Sequence, residues 1–221
     1  MIRGRLEDYL LMIPVLLISL TVHEFSHGYT AYRLGDPTAK NAGRLSLNPF
    51  RHLDPIGTIM MLIARIGWAK PVPINPVYFR DRKKGTMLVS LAGPLSNLAM
   101  AFTGAFLYKI TFIIGYANIM AGDTFTMYFV NFLMLFFSVN INLAIFNLLP
   151  VPPLDGSKIL SGFLPYDKYF RYMQYERYIG MIFLVIVLVA PSVLSTVLSF
   201  FTQPIARSMI WCADLIIGLF L

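Results

Sequence analysis

Two histidines and a glutamate stand within five residues of one another in His23-Glu24-Phe25-Ser26-His27, an H-E-x-x-H sequence. On a helix, positions i and i+4 share a face, so both imidazoles can turn to one metal ion. Zinc suits that spacing, with the intervening glutamate beside it as a general base. The bland alternative is a pair of core histidines near a helix end. The surroundings weigh against it, because the cluster interrupts an apolar run, residues 9–34, long enough to cross a bilayer. An ionisable residue within a span costs about 2.5–3.5 kcal/mol or more unless it is partnered. Three within five residues call for a compensating partner, and a metal supplies one.

A catalytic zinc takes three protein ligands and leaves a position for water. On residue type alone, the third ligand is His52 or an acid. One acid stands in unusual surroundings: Asp155 in "NLLPVPPLDGSKIL", residues 147–160, just after a second apolar run. Pro150, Pro152 and Pro153 cannot continue a helix there. The bland reading of Asp155-Gly156 is a helix cap or a turn.

The elements that must position these residues are membrane helices. Of the 221 residues, 57% are hydrophobic and 13% are charged; a soluble domain is nearer about 45–50% and 25%. Mean hydropathy is +0.67. Runs at 9–34, 86–115, 125–149, 178–201 and 205–221 predict an all-α integral membrane protein with about five transmembrane helices, forming a single polytopic domain over 1–221. Residues 55–68 are apolar but too short to cross. With the proline-rich stretch after them they predict a short re-entrant piece or β-hairpin around 55–75, which lipid tolerates only where protein or a wet cavity covers it. The N-terminal run shows no small-residue cleavage site, and a lone Cys212 excludes a disulfide framework.

The net charge of +7 does not indicate nucleic acid, because the basic residues sit in the connections between apolar runs. Ten of the eighteen Lys and Arg fall in 33–84, four in 152–177 and none in 116–124. The positive-inside rule therefore places 33–84 and 152–177 in the cytoplasm. By the same reasoning Arg80–Lys84 is a topology signal near lipid headgroups. Asn140 reads as an interhelical hydrogen bond, and His52 as a structural loop residue or one lining the mouth of a site.

Three stretches together carry a resemblance: His23-Glu24-Phe25-Ser26-His27, Gly93-Pro94-Leu95-Ser96-Asn97, and Asn147-Leu148-Leu149-Pro150 leading to Leu154-Asp155-Gly156. In this order they resemble the site-2 protease family of intramembrane zinc metalloproteases. "GRLSLNPFRHLDPIGT" (43–58) and "GWAKPVPINP" (67–76) look like the compact prokaryotic members, and no insertion is long enough for a PDZ or CBS domain. The resemblance implies one Zn²⁺ per chain on His23, His27 and Asp155, with Glu24 as base. It implies Asn97, Asn142 and Asn147 as substrate contacts, transmembrane proteins as substrates, and a prokaryotic plasma membrane with the active site towards the cytoplasm. The rival readings are a zinc transporter or sensor, which needs further polar residues along a membrane path, and an inactive scaffold, which would be expected to have lost Glu24 or a ligand.

Overall fold

The computed structural model describes residues 6–55, 57 and 69–219. Eight α-helices follow one another among them: α1 (Leu6–Arg33), α2 (Thr38–Asn41), α3 (Arg82–Ile114), α4 (Tyr116–Met120), α5 (Thr124–Leu148), α6 (Asp155–Phe163), α7 (Tyr166–Val189) and α8 (Pro191–Gly218). No strand occurs among the described residues. Among the described residues, three helices are long and apolar enough to cross a membrane: Leu10–Arg33, Arg82–Ile114 and Thr124–Leu148.

Local chemistry sets their ends. α1 stops where Gly35 takes φ +102°, a conformation that only glycine adopts freely. The amide of Gly35 then bonds to Tyr32 O and that of Asp36 to Ala31 O, which closes the helix in a Schellman motif. α3 starts at Asp81, whose carboxylate accepts from the amides of Lys83 and Lys84, both at 3.0 Å. α5 starts at Asp123, which accepts from Thr126 N at 2.9 Å.

α3 is the central helix, packed against α1, α5, α6 and α8. Most of its buried residues are small or polar, among them Gly93, Asn97, Ala101, Gly104 and Ala105. At Gly104 a methyl group would stand 3.1 Å from the backbone nitrogen of Phe137 in α5, so the two backbones meet there. Ser19, His23 and His27 of α1 meet Asn97 and Val89 of α3 in reverse order, and Asn97 meets Asn140 of α5. The three long helices therefore alternate in direction. Large apolar side chains such as Ile114 and Phe125 point outward and are exposed, as lipid-facing residues are.

The C-terminal third departs from the predicted spans 178–201 and 205–221. The helix breaks inside the first of these, at Ala190–Pro191, and runs unbroken through the gap between them. Pro191 occupies the first turn of α8, where its missing N–H costs nothing, while Pro204 is carried inside that helix. Gln174–Val189 and Pro191–Gly218 meet at 99°, so this bent pair makes at most one further span, which gives three or four among the described residues where five were expected. The predicted hairpin falls largely on residues 56 and 58–68, outside the described residues. What is described beside it is one antiparallel bridge, Leu53 to Ala69, with Lys70 N donating to His52 O at 2.9 Å.

Candidate active site

His23 and His27 lie ten and six residues before the end of α1, which is about 15 and 9 Å along the axis. Both are buried. Asp155 must return to this depth from beyond the end of α5, and the proline-rich segment turns it back. Val151 N bonds to Leu149 O at 2.8 Å and Leu154 N to Val151 O at 3.0 Å, with a cis bond between Pro152 and Pro153. α6 begins at Asp155 itself. Gly156 makes the return possible, because a methyl group there would run into the carbonyl oxygens of Leu148 and Leu149. Asp155 Oδ2 ends 3.1 Å from His23 Nε2 and 3.1 Å from His27 Nε2, and the two nitrogens are 3.0 Å apart. Among the described residues, these three are the only group of three or more His, Cys, Asp or Glu side chains brought close enough to hold a metal.

The opposite faces of the imidazoles fix which nitrogen carries the proton. His27 Nδ1 lies 2.7 Å from Val89 O, which can only accept, so Nδ1 donates. For His23 the assignment runs through a relay. Phe136 O accepts from Asn140 Nδ2 at 2.8 Å, which turns Asn140 Oδ1 to Asn97. Asn97 Nδ2 donates to that oxygen at 2.9 Å, which leaves Asn97 Oδ1 facing His23 Nδ1 at 2.5 Å. His23 Nδ1 therefore carries a proton as well. Both Nε2 atoms then turn lone pairs towards one carboxylate oxygen. Three acceptors converging at 3.0–3.1 Å repel unless a cation or a proton sits among them. This donor set, two imidazole nitrogens and a carboxylate with outer hydrogen bonds orienting the rings, fits a zinc ion.

Two further features shape the pocket. Gly93 of α3 lies directly against the pair: a methyl group there would clash with both imidazole rings. Glu24 stands beside the cluster with Oε2 accepting from Val72 N at 2.8 Å. Its other oxygen has no hydrogen-bond partner among the described residues. The segment carrying Val72 is fastened on both sides, by Arg44 Nη2 to Lys70 O at 2.7 Å and by Asn75 N to Asp36 Oδ2 at 2.6 Å.

The profile of peptidase family M50 matches residues 11–190, a stretch that contains the whole of this site. The chain belongs to peptidase family M50. It is 42% identical over 175 residues to a Bacillus subtilis (strain 168) protein named "Putative zinc metalloprotease YwhC", covering 79% of this chain and 78% of that one. It is 33% identical over 189 residues to "Putative zinc metalloprotease Rip2" of Mycobacterium tuberculosis (strain ATCC 25618 / H37Rv), covering 83% and 68%. A Methanocaldococcus jannaschii protein, "Putative zinc metalloprotease MJ0611", is 32% identical over 108 residues, covering 48% and 49%. No solved structure matches. The resemblance to site-2 proteases read from the three motifs is thus a family membership, and M50 membership with the three apolar helices makes this an integral membrane protein of a metallopeptidase family.

Of the remaining residues singled out in the sequence, Asn97 alone makes a hydrogen bond to the His23–His27–Asp155 cluster among the described residues. Asn97 touches it, but through the back of His23. Asn142 and Asn147 on α5 each donate to their own helix, to Ser138 O and Leu143 O, and have no hydrogen bond to the cluster. His52 is buried in its loop, with Nε2 donating to Ser46 O at 2.7 Å. Missed in the sequence were the relay role of Asn140, the close approaches at Gly93 and Gly156, and the amide of Val72. An Asn four residues into the Gly93-Pro94 segment was a signal for the first. An amide donor carries no signal at all.

Proposed function

We propose that this chain is a zinc metalloendopeptidase that hydrolyses peptide bonds within or near transmembrane segments of other membrane proteins, in regulated intramembrane proteolysis. His23, His27 and Asp155 would hold one zinc per chain and Glu24 would be the base, all within one domain. The observation that carries this reading is the convergence of two lone-pair-bearing imidazoles and a carboxylate inside a membrane-helix bundle. A bound zinc lowers the pKa of water and polarises the scissile carbonyl.

The chain's own groups do the rest. Asn97 and Val89 O hold the two rings so that Nε2 faces inward. Glu24 is one position after His23, about 100° round the helix, so it flanks the centre without having to be a ligand. Val72 N anchors one of its oxygens, and the other is left to take a proton from the attacking water and pass it to the leaving amine. A helical substrate hides its carbonyls and must unwind to present one. Asn142 and Asn147 are assigned to contact that unwound strand: Asn142 is exposed, and both lie on the helix leading to Asp155. The site lies near the end of the bundle carrying the basic connections, which supports an opening to the cytoplasmic side of a prokaryotic plasma membrane.

Glu24→Gln tests the reading. The glutamine oxygen still accepts from Val72 N, so fold and zinc content should persist while hydrolysis of a membrane-tethered substrate falls about 10²–10⁴-fold. The variant should also retain such a substrate and release a soluble one. Cleavage by purified Glu24→Gln protein at near the wild-type rate would refute the mechanism.

A further inference from the structure

A cavity of about 720 Å³ opens where the first turns of α3, the middle of α6 and the start of α7 meet. That volume lies in the range of small-molecule sites, roughly 300–1,000 Å³. Arg80, Arg82, Lys83 and Lys158 line it against two acids, Asp81 and Glu176. Asp81 is occupied in capping α3. Lys83 Nζ donates to Leu164 O, which ties α3 to the turn between α6 and α7. Arg80, Arg82 and Lys158 form no ion pair among the described residues.

A topology signal needs only positive charge in a connection. It needs neither a cavity nor cations from two different elements facing into it. Guanidinium and ammonium groups around a concave site recognise phosphate oxygens by charge-assisted hydrogen bonds. The cavity lies at the start of both α3 and α7, the bundle end with the densest basic residues. We propose that this cavity binds a phosphate-bearing molecule, a lipid headgroup or a soluble phosphorylated metabolite, with the phosphate clasped between Arg82 of α3 and Lys158 of α6. Lys158 follows Asp155 by three residues in the same helix. A ligand bracing α6 against α3 therefore also braces the carboxylate that faces His23 and His27. This coupling rests on the protease reading, whereas the binding does not.

The experiment follows thermal unfolding of full-length protein in a neutral detergent, after delipidation. It adds phosphatidylglycerol, phosphatidylcholine, pyrophosphate or sulfate at matched ionic strength. The expected result is a saturable rise in unfolding temperature with phosphatidylglycerol or with pyrophosphate, and none with sulfate. Phosphatidylglycerol alone assigns a lipid headgroup, and pyrophosphate alone a soluble ligand. Arg82→Gln with Lys158→Gln should weaken the response about tenfold or more. Lys158→Gln alone, at an exposed position, should weaken it in part and guards against misfolding of the double variant. No saturable response, an equal response to sulfate, or one unchanged in both variants would overturn the site. Neither zinc nor hydrolysis enters the readout, so failure here leaves the protease reading standing. If binding holds, loss of zinc occupancy or of cleavage on delipidation tests the coupling separately.

Discussion

Along α1 and α3 the buried side chains are mostly small or polar, and α5 adds Asn140 and Ala144 beside Leu133, Ile141 and Ile145, whereas no described side chain of α7 is buried, Ile182 standing at 61% and Val189 at 79% exposure. The two regions hold together differently. In lipid, burying an apolar side chain gains little, because the tails are as apolar as leucine. Helices associate instead through close backbone approach and interhelical hydrogen bonds. The first region has both, at Gly93, Gly104 and the Asn140–Asn97–His23 relay. α7 reaches its neighbours through a few contacts, such as Gly180 beside Pro152 O and Tyr172 OH donating to Pro150 O at 3.4 Å. The α1–α3–α5 bundle is thus built as a fixed frame, and α7 as an outer element.

Substitutions can break that contrast, and the largest effect belongs at the centre of the frame. Asp155→Ala or His23→Ala should reduce zinc in purified protein from about one per chain to near none, as read by elemental analysis. Full retention in Asp155→Ala would remove Asp155 from the ligand set. Asn97→Ala comes next. It strips His23 of its acceptor without touching a ligand, so zinc affinity should fall about 10–100-fold, as measured by competition with a chelator. Unchanged affinity would mean that the relay does not orient the ring. Gly156→Ala pushes a methyl group into two carbonyls and should destabilise by about 1–3 kcal/mol, visible as a lower unfolding temperature together with reduced zinc retention. Val189→Ala on the outer element should change stability by no more than about 0.5 kcal/mol. A larger loss would show that α7 is packed against something in the membrane after all.

The centre was legible in the sequence because its signals are local or strongly typed. His23 and His27 share a face by helical spacing alone, and a lone Asp among prolines past an apolar run is conspicuous. Asp155 meeting the histidines was legible only through the motif order, since nothing in residues 149–154 gives the direction of a turn. Asn140 looked like glue, and it is a hydrogen bond between helices. That the bond ends on a histidine depends on the register between α1, α3 and α5, which a sequence does not carry. The C-terminal spans were misplaced for a related reason. Hydropathy is blind to whether a proline breaks a helix or starts one: Pro191 begins α8 while Pro204 is absorbed within it.

Val72 donates its backbone amide to Glu24 of α1, and its segment is fastened in turn to Arg44 and Asp36 in the loops beyond that helix. The H-E-x-x-H helix is therefore not a self-sufficient module. A chimera that transplants α1 into another bundle would carry the imidazoles and Glu24 but leave behind the amide that holds the Glu24 carboxylate. A transferable unit would have to keep the helix together with the extended segment around residues 70–75, with Val89 and Asn97 of α3, and with the turn that returns Asp155.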